Sequence, residues 1–241
     1  MQALLYRFDL PILRFMTGFA GKSPLFDHAV NAISRLDMFK GVVLMCLFWY
    51  AWGEVPANQP PGWQEQRQKR LVVILIGSLL LGALSRLLQV TLHIHQRPLL
   101  SNLGLPFPVM GPAADSLSAW NSFPSDHEMI FFALATGLWS INRKIGAIAF
   151  AWTTVVIGLP RIYLGIHYPS DVIAGALFGF LGMKMILALP LARLERLLSA
   201  WRQAHQGLFF ALLYFASDQT SHLMDNLRDL AHSTAKVLLG H

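Results

Sequence analysis

Charge is what this sequence has least of. Only 13% of its 241 residues are Asp, Glu, Lys or Arg, where a soluble domain carries about a quarter. With 54% of the chain apolar, a water-soluble enzyme is excluded and a polytopic membrane protein is expected. Cysteine is nearly absent: a single residue, Cys46, rules out an intramolecular disulfide. No Lys or Arg falls between residues 99 and 123. There is no H-E-x-x-H or comparable histidine pair on a helix turn, which disfavours a helix-borne metal site. Arg7, Asp9, Pro11 and Arg14 interrupt the N-terminal apolar stretch, so no cleavable leader is expected.

What is abundant is apolar sequence in long runs. A spanning helix takes about 20 mostly apolar residues. Runs near 38–53, 71–92, 126–141, 145–164 and 170–190 meet or approach that length, predicting an all-α membrane bundle of five transmembrane helices. The third and fourth are joined by the short INRK turn and form a hairpin. Residues 3–20 are apolar with charges at helical spacing, which suits an interfacial helix; the alternative is a sixth span. After residue 190 the chain reads LARLERLLSAWRQAHQGLFFALLYFASDQ, then an amphipathic stretch through Leu223, Leu227 and Leu230. Its apolar piece 207–216 is too short to cross, predicting surface or interfacial helices. The expected division is an interfacial segment over 1–36, a transmembrane core over 37–191 and an amphipathic tail over 192–241.

The net charge of +6 comes from 19 Lys and Arg against 13 Asp and Glu. These bases sit at the ends of apolar runs, which points to anionic lipid and cytoplasmic loops and away from nucleic acid. One set of loops holds Arg67, Lys69, Arg70, Arg143, Lys144, Arg193 and Arg196. The positive-inside rule puts that set in the cytoplasm and the uncharged 99–123 loop outside. Arg7, Arg14, Lys22 and Arg35 disagree, since five spans leave them outside; a sixth would bring the extreme N-terminus in.

On the outer side, three polar clusters converge: HIHQRP (93–98), SFPSDH (122–127) and PRIYLGIHYPSD (160–171). Ionisable residues at membrane depth are functional-site candidates. Arg97 and Arg161 offer planar forks of donors that match phosphate oxygens. Ser125, at the start of a helix, adds donors where anions are favoured. His167 lies four residues before Asp171, a spacing that lets the carboxylate orient the imidazole for nucleophilic attack. His127 is placed to protonate a leaving oxygen. Metal ligation by His93 and His95 with Asp115, or by His127 with Asp126 and Glu128, is the competing use, disfavoured by the nearby arginines. The 99–123 loop, rich in Gly, Pro and Ser and bearing Trp120, reads as a lid, an interfacial anchor or a plain connector.

Arg97-Pro98, Pro124-Ser125-Asp126-His127, and Arg161 with His167 and Asp171 resemble, in order and spacing, the three signature motifs of the type 2 phosphatidic acid phosphatase superfamily. The resemblance covers about 90–171. It implies His167 as nucleophile, Asp171 as its partner, His127 as acid, Arg97, Arg161, Ser125 and Asp126 around the phosphate, and neither metal nor cofactor. It also implies a bacterial plasma membrane protein with its site facing the periplasm or outside. Three positions depart from the pattern. Val90 stands where the family places lysine, and the nearest earlier base is Arg86, about 6 Å back along a helix. Asp126 replaces glycine, a variant similar to the undecaprenyl diphosphate phosphatase branch. Pro160 replaces the serine before Arg161. The LPRIYLGIHYPSD stretch and the DMFKG segment also look similar to the lipid A phosphotransferase branch.

The function expected is a phosphatase acting on a lipid phosphate or diphosphate, foremost undecaprenyl diphosphate, with membrane lipids as its surroundings. One alternative passes the phosphate to lipid A or another acceptor. Another is a lipid-binding or transport protein without chemistry, against which stand His127, His167 and Asp171.

Overall fold

The structure, a computed structural model, describes residues 2–92, 94, 96–108 and 121–222. His93, His95, Asp115, Trp120 and the tail leucines Leu223, Leu227 and Leu230 lie outside the described residues. Among the described residues every named element is helical: α1 (Gln2–Thr17), α2 (Pro24–Arg35), α3 (Val43–Gly53), α4 (Trp63–Thr91), α5 (Asp126–Ile141), α6 (Arg143–Trp152), α7 (Leu159–Tyr163), α8 (Pro169–Ala188), α9 (Ala192–Ala204) and α10 (Gln206–Ser221). A π-helical turn, Met38–Val42, leads into α3, and a second, Thr153–Gly158, joins α6 to α7. The second precedes Pro160, whose ring nitrogen cannot donate to the preceding turn, so the ladder widens instead of breaking.

Three helices are long and apolar enough to cross a membrane: Trp63–Thr91, Arg143–Tyr163 and Pro169–Ala188. Two further runs expected to span form the shorter helices Met38–Gly53 and Asp126–Ile141. At 16 residues, α5 is about 24 Å long, short of the ~30 Å hydrocarbon layer.

That short helix is the axis of the bundle. It packs against α3, α4, α6 and α8, and nearly all of it from Asp126 to Leu138 is buried. The close approach of α8 needs glycine at two positions one turn apart. A Cβ on Gly175 would collide with the Ser125 carbonyl, and one on Gly179 with the Met129 carbonyl. This is the small-residue seam of membrane helices, which lets backbones meet where lipid supplies no hydrophobic drive. Here it also joins the start of α5 to the start of α8.

The N-terminal segment lies across the end of the bundle where α8 begins. Asp9 of α1 is buried and accepts from the Ser170 backbone N–H at 2.8 Å and the Ser170 hydroxyl at 2.7 Å. Tyr6 meets the Tyr168 ring edge-on, and Asp27 of α2 accepts from the Tyr163 hydroxyl.

Of the two C-terminal helices, only α10 departs from the surface placement expected after residue 190. α9 has no buried residue and bonds to the start of α4 through Ser199–Glu65 at 2.9 Å and Arg202–Gln68 at 2.6 Å. α10, however, runs antiparallel along α3. Phe210 touches Trp52 at one end, and at the other the Ser221 backbone packs so tightly on Gly41 that no Cβ would fit. Phe209, Leu213, Ser217 and Thr220 are buried. Length alone suggested a piece too short to cross, but Met38–Gly53, α3 with its leading π-turn, is equally short, and the two match each other.

Candidate active site

Three segments meet at the end of the bundle where α4 finishes and α5 and α8 start. Asn121 anchors the SFPSDH turn to the end of α4, its side-chain amide donating to the Gln89, Leu92 and Phe123 carbonyls. Gln89 returns the contact by donating to the Pro124 carbonyl at 2.7 Å. The Ser125 backbone N–H donates to the Asp171 carbonyl at 3.1 Å, tying the second segment to the third. The Leu99 N–H donates to the Gly165 carbonyl at 2.8 Å, and Arg97 donates from Nη1 to the Ile166 carbonyl at 3.0 Å, tying in the first. Gly165 has a φ of +70°, and a Cβ there would meet the Phe107 ring at 2.6 Å. Both the turn and the close contact therefore require glycine.

His167 is fully buried in this junction. Its Nδ1 lies 2.9 Å from the Ser122 carbonyl oxygen. A carbonyl only accepts, so Nδ1 carries the proton and the Nε2 lone pair is free. Nε2 is buried and has no hydrogen-bond partner. Asp171 lies beside Nδ1 at 3.6 Å, too far for a hydrogen bond. Its Oδ2 instead accepts from the Tyr168 N–H at 2.8 Å, where Asp171 closes a capping box at the start of α8. The carboxylate thus acts on the imidazole through its charge, and the orienting hydrogen bond comes from Ser122. Burial pushes the His167 imidazole down to about 4; Arg97 and Arg161 add to that and Asp171 opposes it. Burial likewise lowers Arg97, against the attraction of Asp126 and Asp171.

The other expected residues stand around His167. Ser125 is buried at the N-cap of α5, and its hydroxyl makes no hydrogen bond. Arg161 is buried on α7 within the fields of Asp126, Glu128 and Arg97. Among the described residues it forms no ion pair within 4 Å. His127 keeps Nδ1 at 2.9 Å from Asp126 Oδ1.

Asp126 differs from the phosphate contact expected of it. It is buried, with Oδ1 engaged by the His127 ring and backbone N–H and Oδ2 by Arg86 Nη2 at 3.0 Å. An acceptor so occupied holds the His127 ring and offers a phosphate no donor. Arg86 thereby supplies a cation that Val90 cannot: Val90 faces outward, 72% exposed. Two departures from the family pattern, a missing lysine and an added carboxylate, meet in one ion pair.

Sequence reasoning missed the Ser122 carbonyl, a backbone role that no side chain announces. Glu128 had been weighed only as a metal ligand. It is fully buried, neither carboxylate oxygen is hydrogen-bonded, and Gly158 packs beside it. A carboxylate two residues into an apolar run was the available signal. Among the described residues no three His, Cys, Asp or Glu side chains assemble as metal ligands.

Residues 90–194 match the family model of the PAP2 superfamily. The matched segment contains α5 to α8 with all three motif clusters. The chain is 37% identical over 94 residues to the bacitracin transport permease protein BcrC of Bacillus licheniformis, covering 36% of this chain and 44% of that one. It is 32% identical over 120 residues to the putative undecaprenyl-diphosphatase YbjG of Escherichia coli K12, covering 50% and 57%. These matches span about half the length of the relatives. The crystal structure of Aquifex aeolicus LpxE aligns with a TM-score of 0.49 at 26% identity, over 76% of this chain and 96% of that one.

Proposed function

We propose that this membrane protein is a lipid phosphatase that hydrolyses a polyprenyl diphosphate through a phosphohistidine on His167. The observation that carries the reading is the Nε2 of His167: buried, without a partner, and deprotonated because Nδ1 is committed to a carbonyl. A neutral imidazole in the field of two arginines is a nucleophile waiting for a phosphorus atom. Arg97, Arg161 and the free Ser125 hydroxyl would hold the phosphate oxygens as charge builds on them. Nε2 would bond to phosphorus as the bond to the leaving oxygen breaks, and His127 would give that oxygen its proton. Water would then attack the phosphohistidine, its proton passing to His127, releasing orthophosphate and restoring both histidines. The name of the Escherichia coli relative, an undecaprenyl-diphosphatase, supports the choice of substrate.

The wider reading places the site at the extracytoplasmic face of a bacterial plasma membrane. Helices Met38–Gly53, Trp63–Thr91, Asp126–Ile141, Arg143–Tyr163 and Pro169–Ala188 are proposed as five spans, which leaves Arg143 and Lys144 in the cytoplasm, as the charge rule favours.

The test is phosphate release by purified protein in detergent with EDTA present, comparing undecaprenyl diphosphate with phosphatidic acid. Release from the polyprenyl substrate is expected, with His167→Ala reducing it to about a thousandth or less. Acid-labile, base-stable label on His167 after a rapid quench would register the intermediate. Consumption of the polyprenyl diphosphate only when lipid A is added, with the phosphate on lipid A and no orthophosphate freed, would replace hydrolysis by transfer. Undiminished turnover in His167→Ala would remove the nucleophile assignment.

A further inference from the structure

Arg86 has no part in the chemistry described so far, yet the fold holds it in place from two directions. Nη2 lies 3.0 Å from Asp126 Oδ2, and Nη1 donates to Gln89 Oε1 at 2.9 Å. Gln89 is in turn fastened to the Pro124 carbonyl, so the guanidinium is pinned at both ends of the Pro124–Asp126 turn. A guanidinium has five N–H donors, and these two contacts leave three uncommitted. The Arg86 side chain is 29% exposed where Asp126 is only 6%, so its open edge faces outward from the pair.

The position of that edge follows from His127. Asp126 holds His127 by Nδ1, which leaves Nε2 as the atom able to protonate a leaving oxygen. Arg86, bonded to the same carboxylate, therefore stands on the leaving-group side of the site, whereas Arg97 is tied to the Ile166 carbonyl next to His167, the attacking side. For a monophosphate ester the leaving oxygen carries carbon, and a cation beside it has nothing to bind. For a diphosphate it carries a second phosphorus with charged oxygens of its own.

We propose that Arg86 binds the second, departing phosphate and so makes the site select diphosphates over monophosphates. Asp126 is its positioning residue: one carboxylate aims the arginine with one oxygen and the acid histidine with the other. The bond that breaks joins the transferred phosphorus to the bridging oxygen; that oxygen takes its proton from His127 and departs as the lipid monophosphate, its charge met by Arg86. The inference rests on His127 being the acid of the proposed phosphatase.

The experiment compares one prenyl chain in two forms, farnesyl diphosphate and farnesyl monophosphate, on the parent protein, Arg86→Met, Arg86→Lys and Arg86→Met/Asp126→Asn. The expected result in Arg86→Met is a fall of roughly 10- to 100-fold in the ratio of kcat/KM for diphosphate over monophosphate. Arg86→Lys keeps the charge without the fork and falls between. Because Arg86→Met strands a buried carboxylate and could unfold the protein, the double variant removes both charges, and the altered ratio must persist in it. An unchanged ratio, whether both substrates decline together or neither does, overturns the inference and leaves Arg86 as a structural partner of Asp126. Binding of a non-hydrolysable methylene-bridged farnesyl bisphosphonate, against the farnesyl monophosphonate, gives the same ratio without turnover. Loss of discrimination there upholds the subsite even if His167→Ala retains activity and the phosphohistidine reading fails.

Discussion

His167 shows how a backbone carbonyl can decide chemistry. With Nδ1 donating to Ser122, the tautomer is set before any substrate arrives, and burial keeps the ring neutral far below the ordinary histidine range. The dependence on pH follows. With the imidazole titrating at about 4, kcat/KM should hold as pH falls from 7 to 5 and decline below that. Half-loss near pH 6.5 would mean that His167 titrates as if in water. Stability moves the same way. The folded-state value lies below the unfolded one, so the unfolded chain takes up the proton first. The contribution is complete above about pH 6.5 and is lost as pH falls towards 4, amounting to about 3 kcal/mol. Thermal unfolding in detergent across that window measures it. Val90→Lys tests the other departure from the family pattern: with the position facing outward, turnover should stay within about twofold, and a large change would bring residue 90 into the site.

Among the elements, the seam between α5 and α8 matters most, because it sets the Ser125 hydroxyl and His167 in register. Gly175 touches the Ser125 carbonyl, and the Ser125 N–H bonds to the Asp171 carbonyl. Gly175→Leu would force the helices apart at the point where the site is assembled. It is expected to abolish turnover and lower thermal stability by several kcal/mol. Gly53→Leu, at a position where a Cβ meets nothing within 4 Å, is the matched control. A Gly175→Leu protein with parental activity would show that the site does not depend on the seam.

At the scale of the whole molecule, α10 changes the topology. Running antiparallel to α3 from Trp52 to Gly41, it carries the chain between the two ends of the bundle after α9. The expected outcome is that, in a variant lacking Cys46, cysteines at His205 and His222 react with a membrane-impermeant maleimide from opposite faces, His222 sharing the face of Asn102. Reaction of both from one face would return α10 to the surface.

Much of this was legible in the residues. Apolar runs bounded five helices to within a few residues except at α4, which begins eight residues before its apolar run, because lipid-facing segments must satisfy their backbone internally and so become helices wherever they are long enough. The clusters carrying Arg97, Ser125, His127, Arg161, His167 and Asp171 could be placed on one end because helix direction alternates from span to span. What sequence order could not reach were relations across the bundle. Arg86 and Asp126 are 40 positions apart, and only the packing of α4 on α5 turns a misplaced base and an unwelcome acid into a pair. The Ser122 carbonyl has no sequence signature, since every residue has one. α10 looked too short because length was judged against lipid, whereas it is packed against an equally short neighbour. Helix placement is a property of contiguous residues and was settled by the sequence itself. The His167 tautomer, the partner of Asp126 and the place of α10 depend on distances between remote segments, and only the tertiary structure decided them.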